Sequence, residues 1–164
     1  GLAADHLDKQ ALREPGTSAA LTRLEAAAGL RPWDALHSVV ASSVLQGVSD
    51  AGSIDRGIAL HERALRWAPD DGALILSESG LLVSRWRAAG EPADLAAAEQ
   101  MLTALVGRDH TNGEALLRLG AIRYYLRDLD GAEAYWQEAA RLMPHRDEPR
   151  NNLAVLEQER AQGG

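Results

Sequence analysis

Histidines are the residues of this sequence most suited to bind a metal, because the chain has no cysteine. They are widely separated, none stands in an HExxH arrangement, and no cluster of carboxylates accompanies any of them. His61 falls at a large, inward position of its helix, so we expect it to be packed and hydrogen-bonded in the core. The sequence therefore predicts no metal site at its five histidines, which are His6, His37, His61, His110 and His145.

Two short acidic segments look like parts of functional loops but lack the residues that would complete them. Residues 128–131, Asp-Leu-Asp-Gly, have the start of a calcium-binding loop without its third acid or its closing glutamate. We interpret this segment as the turn between two paired helices. Residues 70–72, Asp-Asp-Gly, follow a proline and are typical of a polar turn that also caps the next helix.

The glycine and serine motifs do not indicate catalysis either. Gly47, Gly52 and Gly57 have no Lys-Ser or Lys-Thr behind them, which a phosphate-binding loop requires. Ser42 and Ser43 lie in an apolar helical stretch, without the strand, turn and helix that expose a nucleophilic serine. We therefore expect no catalytic residues, no cofactor and no enzymatic activity, since an enzyme would need a site built from scattered residues.

The composition indicates a helical globular protein that does not bind nucleic acid. The 164 residues are 46% hydrophobic and rich in Ala and Leu, which are strong helix formers. The net charge of -7 argues against a basic nucleic-acid-binding patch. No apolar run is long enough to cross a bilayer. We expect a cytoplasmic protein, or a periplasmic one if a signal was removed, and the sixteen arginines against one lysine favour a bacterial source.

A repeated pattern precedes three prolines, Pro32, Pro69 and Pro144. A small residue, a large residue and a small residue stand 12, 8 and 5 positions before each of them. These spacings place the three side chains on one helical face, where small residues allow a neighbouring helix to come close. The proline then ends the helix. A fourth segment keeps the spacing without the proline, at Ala98, Leu102, Leu105 and His110.

An amphipathic helix precedes each of these helices, so the chain is predicted to consist of helix hairpins joined by short turns. We expect one domain, 1–164, with the fold class all-α. Residues 1–15 form either the first helix of the first hairpin or a loosely docked cap. The predicted units are 1–34, 35–71, 72–112 and 113–146, followed by a single capping helix at 147–162.

Residues 113–144 combine large, small and aromatic residues at fixed positions of two helices: Leu116, Leu119, Gly120 and Tyr124 in the first helix, and Ala132, Trp136, Ala139 and Pro144 in the second helix. With these positions the segment resembles a tetratricopeptide repeat over its whole length. Asn152-Leu153-Ala154 restarts the first-helix pattern and would belong to the helix that closes the stack. In the third unit the resemblance assigns to Gly80 the role of Gly120, the glycine at which the paired helices touch.

The resemblance implies a right-handed α-solenoid of about four antiparallel hairpins, with a concave groove that binds a peptide or a protein surface. Leu117 is expected to be exposed, because Leu116 and Leu119 already supply the inward stripe of their helix. Two tyrosines and an arginine have the composition of a binding surface. The predicted groove residues, all from the first helix of the fourth unit, are Glu114, Leu117, Arg118, Ala121, Tyr124 and Tyr125.

Some members of the family clamp a C-terminal carboxylate with Lys, Asn and Arg residues in the groove. Arg118 and Asn152 fall at two such positions of this sequence. Glu114 stands where a lysine is needed, and Leu117 and Ala121 replace the other polar partners. The resemblance therefore predicts that this clamp is absent.

The sequence favours a scaffold that holds a protein or peptide ligand. Two alternatives remain at this stage: a module that assembles homo-oligomers, and a regulatory or recruiting domain of a larger enzyme. Sedimentation over a range of concentrations separates the first alternative from a monomeric scaffold, and the full-length gene separates the second. None of the three readings requires nucleic acid, membrane insertion or a cofactor.

Overall fold

The computed structural model describes residues 2–11 and 17–163 of the chain. All regular structure in these two ranges is α-helical, so the all-α helical-repeat fold class predicted from the sequence is confirmed. The helices are α1 (Leu2–Ala11), α2 (Thr17–Leu30), α3 (Leu36–Val44), α4 (Ala51–Leu65), α5 (Gly72–Ala89), α6 (Pro92–Arg108), α7 (Gly113–Tyr125), α8 (Leu129–Leu142) and α9 (Glu148–Gly163).

The chain divides into two compact units, a first unit from Gly1 to Ala98 and a second unit from Glu99 to Gly164. The division falls within α6. The single domain at 1–164 and its four repeat boundaries stay predictions. Residues 1, 12–16 and 164 of that predicted domain lie outside the described residues.

Short polar side chains begin four of the helices, because each accepts a hydrogen bond from a backbone N–H group that the first helical turn leaves unpaired. Asp71 caps α5 by accepting from the N–H groups of Ala73 and Leu74, as the sequence predicted. Asp128 caps α8 by accepting from the Gly131 N–H, so residues 129–131 are the first turn of α8, and the turn between the paired helices lies just before them, at residues 126–127. Asp50 and Asn112 cap α4 and α7 in the same way.

In the first unit, α1 packs against α2 and α3. Its inward residues Ala4, Asp8 and Ala11 are buried. The Asp8 carboxylate lies 2.8 Å from Nδ1 of His37 on α3, and both side chains are almost fully buried. An ion pair joins Asp5 of α1 to Arg31, the residue that follows α2. The described part of the N-terminal segment is therefore a docked helix, and it is not loosely attached.

His61 lies in the core of the first unit with no solvent exposure, which confirms its predicted packing. Its Nδ1 atom lies 2.9 Å from the Gly57 carbonyl oxygen, and its Nε2 atom lies 3.0 Å from the Ser42 hydroxyl oxygen. Because a carbonyl can only accept, Nδ1 carries the proton and Nε2 accepts from Ser42. Burial lowers the pKa of His61, so the ring is neutral at physiological pH.

The prediction that Gly120 lies where the paired helices touch is confirmed in the second unit. A Cβ atom at Gly120 would overlap Cδ1 and Nε1 of Trp136, so the contact leaves no room for a side chain there. Trp136 on α8 is only 4% exposed and fills the space beside Gly120. The small and large residues of the repeated pattern thus set the distance between α7 and α8.

In the third predicted repeat, Ser79 stands at the position of Gly120 when both residues are counted from the cap of their helix. Gly120 is the eighth residue after the cap Asn112, and Ser79 is the eighth after the cap Asp71. Ser79 is 1% exposed, and its hydroxyl donates to the Leu76 carbonyl 2.8 Å away, so this buried hydroxyl is satisfied within α5. The role assigned to Gly80 stays a prediction.

Candidate functional site

A concave pocket of about 200 Å³ lies on the second unit, where α7, α8 and α9 meet. It contains three of the six predicted groove residues, Ala121, Tyr124 and Tyr125. These three lie on one face of α7 because they are three and four positions apart in a helix. The full lining is Ala121, Tyr124, Tyr125, Trp136, Asn152 and Val155.

Aromatic rings form the wall and floor of this pocket. The ring centroids of Tyr124 and Tyr125 are 6.2 Å apart and the rings meet edge to face at 64°. The Tyr124 ring is tilted by 39° against Trp136, with the centroids 5.8 Å apart. The Trp136 Nε1–H donates to the Leu117 carbonyl 3.0 Å away, so the indole at the floor is fixed in its orientation. Such contacts between rings stabilise their geometry beyond simple burial.

An ion pair beside the pocket fixes α9 against the end of α7. The Arg127 guanidinium donates to the Glu159 carboxylate, with Nη1 and Oε1 2.5 Å apart. Arg127 has a φ of 64°, a left-handed conformation that is uncommon for a residue with a side chain. The Tyr124 hydroxyl also donates to Glu159, and this hydrogen bond raises the pKa of Tyr124. The Tyr124 side chain is thus held at its ring by Trp136 and at its hydroxyl by Glu159.

Glu114 and Arg118, two further predicted groove residues, bind each other and are not part of the pocket lining. Arg118 Nε lies 2.8 Å from one Glu114 oxygen, and Arg146 Nη1 lies 2.6 Å from the other. Burial raises the pKa of Glu114, but the two guanidinium groups more than offset this effect, so the pKa is lowered. Arg146 also binds Glu148 and lowers the pKa of that carboxyl to about 2. All four groups are therefore charged and mutually compensated at neutral pH.

No family model and none of the curated proteins matches this sequence. Solved structures do match it. A MamA RS-1 double mutant superposes with a TM-score of 0.72 at 17% identity, over 98% of this chain and 86% of that one. TTC0263, a tetratricopeptide repeat protein of Thermus thermophilus, gives 0.71 at 21% identity, over 94% and 79%. The first tetratricopeptide domain of Spaghetti (RPAP3) with an HSP90 peptide gives 0.60 at 21% identity, over 80% and 98%.

The chain has the tetratricopeptide-repeat fold. The resemblance seen in residues 113–144 is thereby confirmed. In this fold the first helices of successive hairpins line one face, and α7 and α9 are the first helices at the C-terminal end of the described chain. Five of the six pocket residues come from these two helices, and Trp136 comes from α8.

The expectation that Leu117 is exposed is wrong. It is 9% exposed and belongs to a buried apolar cluster with Trp136 of α8 and Leu156 of α9. In the tetratricopeptide fold a first helix has neighbours on two sides, so its buried face is wider than one stripe of leucines. Leu117 therefore faces the closing helix, and Leu116 and Leu119 do not exclude it from the core.

Sequence reasoning missed the pocket residue Val155, which α9 contributes together with Asn152. Val155 is 53% exposed and stands one position after the small residue of the restarted repeat pattern, as Ala121 stands one position after Gly120. Extending the tetratricopeptide register into α9 would therefore have predicted Val155. Asn152 was recognised only as part of a carboxylate clamp, and the structure places it beside the tyrosines.

A separate exposed aromatic pair lies on the first unit. Trp33 and Trp67 are 59% and 61% exposed, and their rings meet edge to face with centroids 6.3 Å apart. Both follow the second helix of a hairpin in the tetratricopeptide fold. In the described ranges no helix could span a membrane, and no three acidic or histidine side chains lie close enough to hold a metal.

Proposed function

We propose that this protein binds a segment of another protein, and that the pocket formed by Ala121, Tyr124, Tyr125, Trp136, Asn152 and Val155 is the contact site. The observation that carries the proposal is the convergence of three aromatic rings and an amide on one open cavity. Aromatic side chains are enriched at the centres of protein interfaces, because they provide large contact areas with few rotatable bonds.

The size of the pocket favours a protein segment over a small molecule. Its volume of about 200 Å³ is smaller than the roughly 300–1,000 Å³ of typical small-molecule sites. A cavity of this size receives one side chain of a longer ligand, and the rest of the ligand then lies along α7 and α9. The RPAP3 domain, a structure with the same fold, binds a peptide, and this supports a peptide segment as the ligand.

The charges around the pocket favour an internal segment of the partner over a free C-terminus. Glu114 is ionised, and its two carboxylate oxygens accept from Arg118 and Arg146. The guanidinium groups of Arg118 and Arg146 therefore already have an anionic partner, so they do not offer an uncompensated positive charge to a terminal carboxylate. We therefore propose that side-chain contacts, and not a carboxylate clamp, hold the ligand.

The variant Ala121→Arg tests the proposal, because a long side chain at this position would fill the pocket. Peptides are first selected on the parent protein from a random phage-displayed library. We expect Ala121→Arg to weaken their binding by at least about tenfold, the effect of blocking the centre of an interface. Binding is measured by calorimetry, and circular dichroism confirms that the variant stays folded.

Ala134→Arg is the matched control, because Ala134 is exposed on α8 and is not part of the pocket lining. It introduces the same charge and the same side chain on the second unit, and we expect the selected peptides to bind it as they bind the parent. Equal binding to Ala121→Arg and the parent would contradict the proposed site. Equal weakening by both variants would show an effect of charge and would also contradict it.

A further inference from the structure

We propose that the partner side chain that enters the pocket is a cation, the guanidinium of an arginine or the ammonium of a lysine, packed against the tyrosine rings. This inference rests on the proposed function and specifies the chemistry of the ligand. It also predicts a partner with basic segments, which the groove residues chosen from the sequence did not indicate.

The faces of the aromatic rings are the first reason for a cation. The face of an aromatic ring carries partial negative charge, and a cation within about 6 Å of the ring centroid is attracted to it. Tyr124 and Tyr125 both line the cavity, and their rings are inclined at 64° to each other. A cation in the cavity can therefore contact more than one ring.

The hydrogen-bonding groups at the pocket are the second reason. Asn152 provides an amide oxygen that can accept from a guanidinium or ammonium group. The Tyr124 hydroxyl donates to the Glu159 carboxylate, so its oxygen lone pairs remain available as acceptors. An aliphatic side chain would bury these polar atoms without replacing their hydrogen bonds to water, which is unfavourable.

The charge of the surroundings is the third reason. Three arginines of the second unit are already paired with carboxylates: Arg118 with Glu114, Arg146 with Glu114 and Glu148, and Arg127 with Glu159. A ligand cation is therefore not repelled by an uncompensated charge. The second unit as a whole has eleven acidic residues against eight arginines, a net charge of -3, which attracts cationic segments.

Three blocked amino acids distinguish the possible ligands: the N-acetyl methylamides of arginine, leucine and glutamate. Each is titrated into the intact chain labelled with nitrogen-15, and the amide signals of Ala121, Tyr124 and Asn152 are followed. We expect a saturable shift with the arginine compound at a dissociation constant about 3- to 30-fold lower than with leucine, the range of cation–π contacts. We expect no saturation with glutamate.

Tyr125→Leu and Tyr125→Phe separate a cation–π contact from plain apolar packing. Leucine keeps an apolar side chain but has no ring, whereas phenylalanine keeps the ring face and loses only the hydroxyl. We expect Tyr125→Leu to weaken arginine binding about 3- to 30-fold and Tyr125→Phe to change it less than about twofold. Melting curves of both variants verify that the second unit is intact.

Three results would overturn the inference: leucine binding as tightly as arginine, arginine binding unchanged by Tyr125→Leu, or no saturable shift with arginine. Its failure can be told apart from failure of the proposed function by the selected peptides. If those peptides lack basic residues and Ala121→Arg still blocks them, the pocket binds segments but takes a neutral side chain. If Ala121→Arg blocks none of them, the site itself is wrong.

Discussion

Replacement of Trp136 by alanine is expected to destabilise the second unit by about 3–5 kcal/mol, the usual range for removing a large buried aromatic ring. Trp136 is 4% exposed and packs directly on Gly120. Its loss would leave a cavity between α7 and α8, and it would also leave the Leu117 carbonyl without the indole N–H that donates to it. The floor of the pocket would be lost at the same time.

Trp67→Ala is the control for this substitution, because it removes the same side chain from a surface where 61% of it is exposed. We expect it to change the free energy of unfolding by less than about 1 kcal/mol. Guanidinium-induced unfolding gives the overall stability, and amide hydrogen exchange locates the loss in α7, α8 and α9. Similar unfolding curves for Trp136→Ala and the parent would contradict the assigned core of the second unit.

The stability of the first unit is expected to fall as the pH rises, because of Glu78. Its side chain is 7% exposed, and its Oε2 atom has no hydrogen-bond partner among the described residues. Burial, together with the negative charge of Glu62, raises the pKa of Glu78 to about 7. Since the folded pKa lies above the unfolded one, the folded state holds the proton more tightly than the unfolded state does.

The direction of the pH dependence follows from this difference between the folded and unfolded pKa of Glu78. Below about pH 4.5 the carboxyl is protonated in both states and adds no dependence on pH. Between that pH and about 7 the unfolded state loses its proton first, so the free energy of unfolding decreases as the pH rises. Above pH 7 the free energy of unfolding is lower than it is below pH 4.5, by a total on the order of 3 kcal/mol.

Glu78→Leu should therefore stabilise the first unit by about 2–4 kcal/mol at pH 8 and by clearly less at pH 5. Leucine suits the position, because Glu78 and Leu119 each stand seven residues after the cap of their helix. Unfolding is measured between pH 5 and 8. Glu91→Gln is the control, because it removes the same charge from an exposed position. A stability difference between Glu78→Leu and the parent that is the same at every pH would contradict the account.

The regular part of the fold could be predicted from the sequence because it depends on local spacing. The resemblance to a tetratricopeptide repeat predicted that the paired helices touch at Gly120, and Trp136 lies at that contact. Asp71 predicted a helix start, because a cap acts on backbone groups two or three residues away. These effects act within a few residues, so they remain visible in a single sequence.

The ion pairs and the burial that the sequence did not predict depend on neighbours that are distant in the sequence. Glu114 is paired with Arg146, 32 residues away, and no pattern within α7 indicates this partner. Leu117 is buried because α9 covers it, and Glu78 is buried because its register matches that of Leu119. Helical periodicity assigns such residues to the core or to the surface by their polarity alone. It therefore fails where tertiary contacts bury a residue that the periodicity places at the surface.

The most direct test of the central proposal is to map where a selected peptide touches the folded chain. Titration of the labelled protein is predicted to perturb the amide signals of Ala121, Tyr124, Asn152 and Val155 first and most strongly, with saturation at the affinity found by calorimetry. Perturbations centred on Trp33 and Trp67, with the signals of the pocket unchanged, would contradict the proposal and place the binding surface on the first unit.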